Sequence, residues 1–566
     1  MVGPRKPASV SPIATDRLAT SLCLLYSALI GLAGVVAAMS AGAGIGLMGD
    51  SVEYLSSARA FVTGHGLRAV AGAERPPGLG ILLWPLCLRD SLPLRSARIL
   101  MALAAVAIVT LAFALMRMRV GPRLALLVAG LVATNALLFE HSCYLLSELP
   151  FTTLALGALV IFERWRLDRV SPRSWSLLSG TVLTAAAAIV RVAGLALVPV
   201  GMLAIGAHRS SSARWRLRAA MIFACVASAP SLAWVFRYAG HERPGSYLSQ
   251  MAHPRDAPGG AELGPVLTIE RVVRLLPQRL VELAQSLLPR SIAWRLWTDE
   301  LRWVAGGVGV AIVIALVLTA FRDRGGPAIF ALLSWVVLLV WPWDEGPRFV
   351  VPLVPVVTGI IVESASRLGS RCARGIPARA ALASAAVVAV AAQACELVLT
   401  ASRLPAMQAR FATRLERGRA VSDVLRALPP EWSIMALLPQ GEDAKVDLAL
   451  GAYLAERHVE IVDCDAKAEI PQPRHDVLVT HRHVPSGWAM SWAYQPIGAV
   501  QEFILWRPAA RRWLRESQSA TAPAGFPPPF FSILAHVSFS DTARLKTSAP
   551  GRESGSTQKY PRRSNW

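Results

Sequence analysis

Long apolar runs alternate along the chain with short, strongly basic ones. The apolar runs lie at about 19–46, 99–116, 124–139, 149–162, 174–190, 192–207, 219–236, 303–320, 327–343, 349–363 and 380–400. A bilayer-crossing helix needs about 20 mostly apolar residues, and most of these runs approach or exceed that length. The pattern predicts an α-helical polytopic membrane protein with eleven spans.

The interruptions supply an orientation. "RMRVGPR" (117–123), "ERWRLDRVSPR" (163–173), "HRSSSARWRLR" (208–218), "RDRGG" (322–326) and "RLGSRCARGIPAR" (367–379) all carry several arginines. The short loops on the opposite side, 140–148 and 344–348, contain only Arg348. Basic residues are retained on the cytoplasmic side, so the N-terminus, residues 1–18, is expected inside. Three segments are then expected outside: a first outer loop 47–98, a large outer loop 237–302, and the chain beyond 400. "SVEYLSSARAFV" places Val52, Leu55, Ala58 and Val62 on one helical stripe, which predicts a short helix lying on the outer membrane surface. Trp294, Trp297 and Trp303 are expected at the interface. After Thr400, short β-type runs alternate with helical ones, which predicts a small α/β extracytoplasmic domain over 401–510. The rest, 511–566, is rich in Pro, Ser, Thr and Gly and is expected to be a largely disordered tail.

Composition agrees with the membrane reading. The 566 residues are 54% hydrophobic and only 17% charged, low for a soluble chain. The formal charge of +21 does not imply a nucleic-acid partner, because the arginines sit in the loops where topology requires them. The seven cysteines are scattered without CxxC or metal-ligand spacing. The first apolar run follows Arg5, Lys6 and Arg17 and is read as a retained span rather than a cleaved signal. There is no Gly-rich nucleotide loop, so an activated substrate would have to arrive in another form.

The ionisable residues at the outer ends of the spans are the candidates for chemistry. Asp50 follows the first span; with Glu53 three residues on it fits a helix capping box, and it also suits a general base. In "AERPPGLG", Glu74 and Arg75 precede a rigid Pro-Pro, so the pair reads either as a local ion pair or as ligands for a metal and a phosphate. Glu148 opens a span beside Pro150, where a helix N-terminus favours a carboxylate. Arg191 and Arg348 lie on the side where positive charge serves no topological purpose, and either could pair with a carboxylate or bind phosphate. Together these residues point to one site at the membrane–water boundary.

Four stretches resemble the GT-C glycosyltransferases that use lipid-phosphate sugars, a group including the protein O-mannosyltransferases and the lipid A aminoarabinose transferases. They are "GDSVEYLSSARAFVTGHG", "GAERPPG", "LSELPFTTLALGAL" and "GPRFVVPLVPVV"; "VRVAGLALVPVG" is similar to the group's Arg–Gly–Pro span. The resemblance covers about residues 19–400, the transmembrane domain. It implies transfer of a sugar from a polyprenyl-phosphate donor to an extracytoplasmic acceptor hydroxyl, with inversion. Asp50 would be the catalytic base and Glu148 a second acid near the reacting centre. Arg75, Arg191 and Arg348 would bind the donor phosphate, and Glu74 would help hold a divalent metal where one is used. The implied partners are the lipid-phosphate donor, membrane lipid and a glycan, lipid or protein acceptor in a bacterial inner membrane. A flippase for a lipid-linked glycan and a non-catalytic envelope assembly protein are the alternatives. A flippase predicts charges deep within spans, and an assembly protein predicts that Asp50, Glu74 and Arg75 lie far apart.

Overall fold

The computed structural model describes, short gaps aside, residues 45–64, 75–167, 174–239, 265–289, 299–341, 346–439 and the helix and strands within 442–508. Of the predicted first span only isolated positions are described. His65, Glu74, Trp294, Trp297 and the segment 511–566 lie outside the described residues. The chain forms two compact units, one of residues 1–69 and 73–412, the other of 70–72 and 413–566.

The first unit is helical. Its helices are α1 (Gly49–Val62), α2 (Gly78–Cys87), α3 (Leu94–Val120), α4 (Pro122–Ala133), α5 (Ala136–Ser142), α6 (Glu148–Leu167) and α7 (Ser174–Val190). They continue with α8 (Leu197–Gly206), α9 (Ala213–Ala239), α10 (Pro265–Gln285), α11 (Asp299–Asp323), α12 (Gly326–Val340), α13 (Val354–Cys372) and α14 (Ile376–Ser402). Two 3-10 turns, Val192–Ala196 and Gly346–Leu353, lead into α8 and α13. Among the described residues, five helical stretches are long and apolar enough to cross a membrane, and the bent pair α4–α5 makes a sixth. Shorter apolar helices, including α7 and α12, lie among them.

Three local features differ from the sequence pattern. The run 124–139 is broken into α4 and α5 with a 55° bend. Asn135 causes the break: its side chain accepts a hydrogen bond from Leu138 N and so starts a new helix, while its Nδ2 donates to Ser286 O at 3.1 Å. In α1, the stripe of Val52, Leu55 and Ala58 is buried within the protein rather than laid on a membrane surface. It packs on α2 where Gly80 leaves room, since a Cβ there would stand 3.1 Å from Ser57 Cβ. The α1 capping box is closed by Met48 and Ser51, not by Asp50 and Glu53.

Small residues set the positions that matter for function. The last turn of α7 is clamped between two glycines. A Cβ on Gly78 would fall 2.5 Å from Val190 N, and one on Gly194 would fall 2.5 Å from Ala187 C. Backbones meet this closely only where side chains are absent. The clamp sets the chain after Arg75 against the helix that ends at Arg191.

At the other end of α3, α6 and α13, a buried ion network ties the helices together. Arg119 donates to Glu163 at 3.0 Å and to both oxygens of Glu363 at 2.9 and 3.2 Å. Arg166 and Arg367 add outer contacts to the same carboxylates. Removing one partner of a buried pair leaves an uncompensated charge. Arg119→Leu is therefore expected to cost about 3–5 kcal/mol, read as a marked fall in thermal stability of the detergent-purified protein. An unchanged melting temperature would refute the network's structural role.

The second unit is α/β. It contains most of α15 (Leu404–Ala427), then β1 (Ile434–Pro439), α16 (Glu442–Ala455), β2 (Val459–Cys464), β3 (Val477–His481), β4 (Tyr494–Val500) and β5 (Phe503–Pro508). The sheet order is β2-β1-β3-β5-β4, parallel across β2-β1-β3 and antiparallel beyond. Val421 and Leu425 of α15, Leu448 and Ala452 of α16, and the inward residues Ile434, Ala436, Val477 and Val479 form its core.

Candidate active site

The site begins with a backbone contact. Gly46 and Tyr144 form a parallel β-bridge: Gly46 N donates to Cys143 O at 2.9 Å, and Leu145 N donates to Gly46 O at 3.0 Å. Glycine is required at position 46 because the Phe411 ring fills the place of a side chain; a Cβ there would fall 2.4 Å from the ring. The bridge aligns two segments, and Asp50 and Glu148 each follow four residues beyond a bridged residue. Tyr54 then pins α1 to the loop before α6, its hydroxyl donating to Ser147 Oγ at 3.1 Å.

Arg348 joins the two carboxylates. It stands on the 3-10 turn that Gly346 opens with a φ of 58°, a conformation that glycine adopts readily. Its Nη2 donates to Asp50 Oδ2 at 2.5 Å, and its Nε donates to Glu148 Oε1. The planar fork of a guanidinium makes this double contact possible. Arg75 Nη2 takes the other Asp50 oxygen at 2.7 Å, while Arg75 Nε donates to Glu53 Oε2 at 2.7 Å. Arg191 Nη1 donates to Glu148 Oε1 at 2.6 Å and to Ser147 Oγ at 3.3 Å, and its guanidinium lies over the Phe349 ring, 4.9 Å from the centroid.

Five of the six sequence candidates therefore meet in one cluster: Asp50, Arg75, Glu148, Arg191 and Arg348. Glu74, the sixth, lies outside the described residues. Glu53, read from sequence as a cap partner, is instead an ion-pair partner of Arg75. Ser147, Tyr54 and Phe349 had no local signal, because their roles come from contacts across the fold.

The electrostatics are balanced. Three arginines face three carboxylates, Asp50, Glu53 and Glu148. Burial alone would raise the Asp50 pKa, but Arg348 and Arg75, with a contribution from Arg191, hold it well below its ordinary 3.8. Asp50 is thus ionised, and both of its oxygens are occupied. Glu148 differs: it is fully buried, both arginines bond the same oxygen, and its Oε2 has no hydrogen-bond partner. A buried carboxylate oxygen left bare in this way is costly unless a ligand donor or water meets it. Nearby, His141 Nδ1 lies 2.8 Å from Leu137 O. A carbonyl only accepts, so Nδ1 carries the hydrogen.

Asp50, Glu53 and Glu148 are each engaged by a guanidinium, and no group of three or more His, Cys, Asp or Glu that could hold an ion occurs among the described residues. Glu74, read from sequence as a metal ligand, lies outside them.

No family model and no curated protein matches the chain. Solved structures do. ArnT from Cupriavidus metallidurans bound to undecaprenyl phosphate superposes with a TM-score of 0.55 at 13% identity, covering 87% of this chain and 99% of that one. The apo state of the same protein gives 0.54 at 14% identity, covering 86% and 98%. An oligosaccharyltransferase from Archaeoglobus fulgidus gives 0.46 at 10% identity, covering 85% and 73%. The chain therefore has the fold of ArnT, and the resemblance to the GT-C glycosyltransferases holds at the level of the fold.

Proposed function

We propose that the protein is a membrane glycosyltransferase that moves a sugar from a polyprenyl-phosphate donor to an acceptor hydroxyl with inversion. The observation that carries this reading is the cluster itself. Arg348 bonds two carboxylates that lie 298 and 200 residues away in the chain, and Arg75 and Arg191 flank them. The ArnT fold, seen with undecaprenyl phosphate in ArnT, supports a lipid-phosphate ligand. The reading also puts the cluster on the extracytoplasmic face of a bacterial inner membrane, in an eleven-span domain with its N-terminus inside. The 2.7 Å contact between Asp50 and Arg75 speaks against a non-catalytic assembly protein, for which Asp50, Glu74 and Arg75 are expected to lie apart.

The chemistry follows from the charges. The donor phosphate competes with the carboxylates for the three arginines. Guanidinium forks suit phosphate oxygens as well as carboxylates. When Arg348 and Arg75 turn to the phosphate, Asp50 loses the partners that depress its pKa and becomes a better base. Asp50 takes the proton of the acceptor hydroxyl as its oxygen attacks the anomeric carbon. The bond from that carbon to the phosphate oxygen breaks, its electron pair leaves with the phosphate, and the arginines stabilise the charge that develops there. Glu148 keeps Arg191 and Arg348 aimed, and its open Oε2 is an acceptor for a ligand hydroxyl. The products are the glycosylated acceptor and polyprenyl phosphate, and the proton stays on Asp50 until release.

Donor binding is testable without turnover. Undecaprenyl phosphate is expected to bind the purified protein, and undecaprenol, which lacks the phosphate, is not. Arg75→Ala and Arg191→Gln should each weaken binding about tenfold or more, the scale of one charge-assisted hydrogen bond. Equal affinity for the alcohol and the phosphate, or for wild type and both variants, would refute the reading.

A further inference from the structure

A second polar constellation lies on α14, outside the arginine cluster. Gln393, Glu396 and Thr400 recur at i, i+3 and i+7, so they form one stripe of this helix. All three are buried, at 4%, 2% and 5% exposure. The opposite face carries exposed Val387, Val388, Val398 and Leu399, an apolar surface of the kind that meets lipid. The stripe thus faces the protein. Gln393 Nε2 donates to Leu287 O at 2.6 Å, which draws the residues after α10 against it. Gln285, two residues before Leu287, is also buried. The same short segment accepts the Asn135 bond through Ser286 O.

The stripe is unsatisfied. Gln285 Oε1, Gln393 Oε1 and Thr400 Oγ1 are shut off from solvent and have no hydrogen-bond partner. Glu396 lies between Gln393 and Thr400 on the same stripe, at 2% exposure. Polar groups buried at membrane depth without partners are expensive and are retained where something binds them. The atoms left over are two amide oxygens, which only accept, and a hydroxyl, beside the Glu396 carboxyl, so the stripe suits a ligand that brings many hydrogen-bond donors. That is the reverse of the arginine cluster, which offers donors. The two sites are near neighbours in the packing order: α14 packs on α5, and α5 packs on the 3-10 turn that bears Arg348.

We propose that this stripe is the acceptor subsite and binds a hydroxyl-rich, non-anionic headgroup carried on a lipid. The inference rests on the glycosyltransferase reading above and adds the chemical class of the acceptor. Gln285, Gln393, Glu396 and Thr400 take hydrogen bonds from the hydroxyls of that headgroup, whereas a fully ionised phosphate has no hydrogen to give to the open amide oxygens. They bind the acceptor and take no part in the proton transfer, which Asp50 carries out.

The test compares full-length wild type with Glu396→Leu and Glu396→Gln in nanodiscs. Glu396→Leu is expected to raise the melting temperature, because it replaces a buried acid on an apolar helix with an apolar side chain. It should leave undecaprenyl phosphate affinity unchanged and raise the KM for the acceptor in an envelope fraction about tenfold, the scale of a lost hydrogen bond to a charged group. Glu396→Gln, which keeps shape and one acceptor oxygen, should lie between. A higher melting temperature with an unchanged acceptor KM would mean that the stripe holds only water, and the proposal would fall. So would an equal loss of undecaprenyl phosphate affinity. If the wild type transfers no sugar at all, the glycosyltransferase reading falls and binding decides the subsite. Diglucosyl diacylglycerol should then stabilise wild type but not Glu396→Leu, while phosphatidic acid stabilises neither. No difference between the two lipids, or between the two proteins, overturns the proposal.

Discussion

Arg348→Lys is expected to lower transfer about a hundred- to a thousandfold, the cost of losing one preorganised donor at a developing negative charge. The loss arises although the charge is kept. In the resting site Arg348 uses Nε for Glu148 and Nη2 for Asp50. A lysine offers one compact ammonium on a flexible stem and cannot span both carboxylates with fixed geometry. Glu148, which is fully buried, would then depend on Arg191 alone. Initial rates with labelled donor measure the effect, and the melting temperature shows whether the fold survives. The lysine variant should stay folded, since its charge still compensates the site. Near-wild-type rates from Arg348→Lys would show that the shared guanidinium has no catalytic role.

Asp50→Asn is expected to lower transfer by about two to four orders of magnitude, the usual contribution of a positioned general base. Donor affinity should hold or improve, because Arg75 and Arg348 no longer divide their hydrogen bonds between a carboxylate and the phosphate. That split separates a base from a structural ion-pair partner. The pH dependence supplies a second check. The folded-state pKa of Asp50 is depressed below 3.8. Its contribution to stability is therefore complete above about pH 4 and is lost only as pH falls through the lower folded value. Protonation of free Asp50 should not limit donor binding anywhere between about pH 5 and 8. A melting temperature that falls steeply between about pH 7 and 5 in wild type, but not in Asp50→Asn, would contradict this assignment.

The sequence carries the site unevenly. Asp50, Glu148, Arg191 and Arg348 are legible because each is an ionisable residue at the edge of an apolar run, where a charge has few inexpensive reasons to be. Their pairing is not legible. Asp50 and Arg348 are 298 residues apart, and the β-bridge between Gly46 and Tyr144 that aligns the two carboxylates has no local signature. Glu53 shows how a local rule misleads. Its spacing from Asp50 matches a capping box, but Ser51 closes the box, and Glu53 turns to Arg75, 22 residues on. The break at Asn135 is hidden for a related reason. Hydropathy averages over the run 124–139, whereas one side-chain oxygen starting a helix at Leu138 decides the 55° bend. The polar stripe on α14 is only partly legible: Glu396 stands as a lone acid inside the run 380–400, but Gln and Thr are ordinary there until burial leaves their atoms without partners.

The central claim is that the arginine–carboxylate cluster transfers sugar from a lipid phosphate. The measurement that tests it most directly gives purified, reconstituted protein radiolabelled polyprenyl-phosphate sugars together with an envelope fraction, and compares wild type with Asp50→Asn. The account predicts that wild type moves label to an envelope acceptor with inverted anomeric configuration, releasing one polyprenyl phosphate per sugar, and that Asp50→Asn moves almost none. Equal transfer by the two proteins, or no transfer by wild type from any such donor, would contradict it.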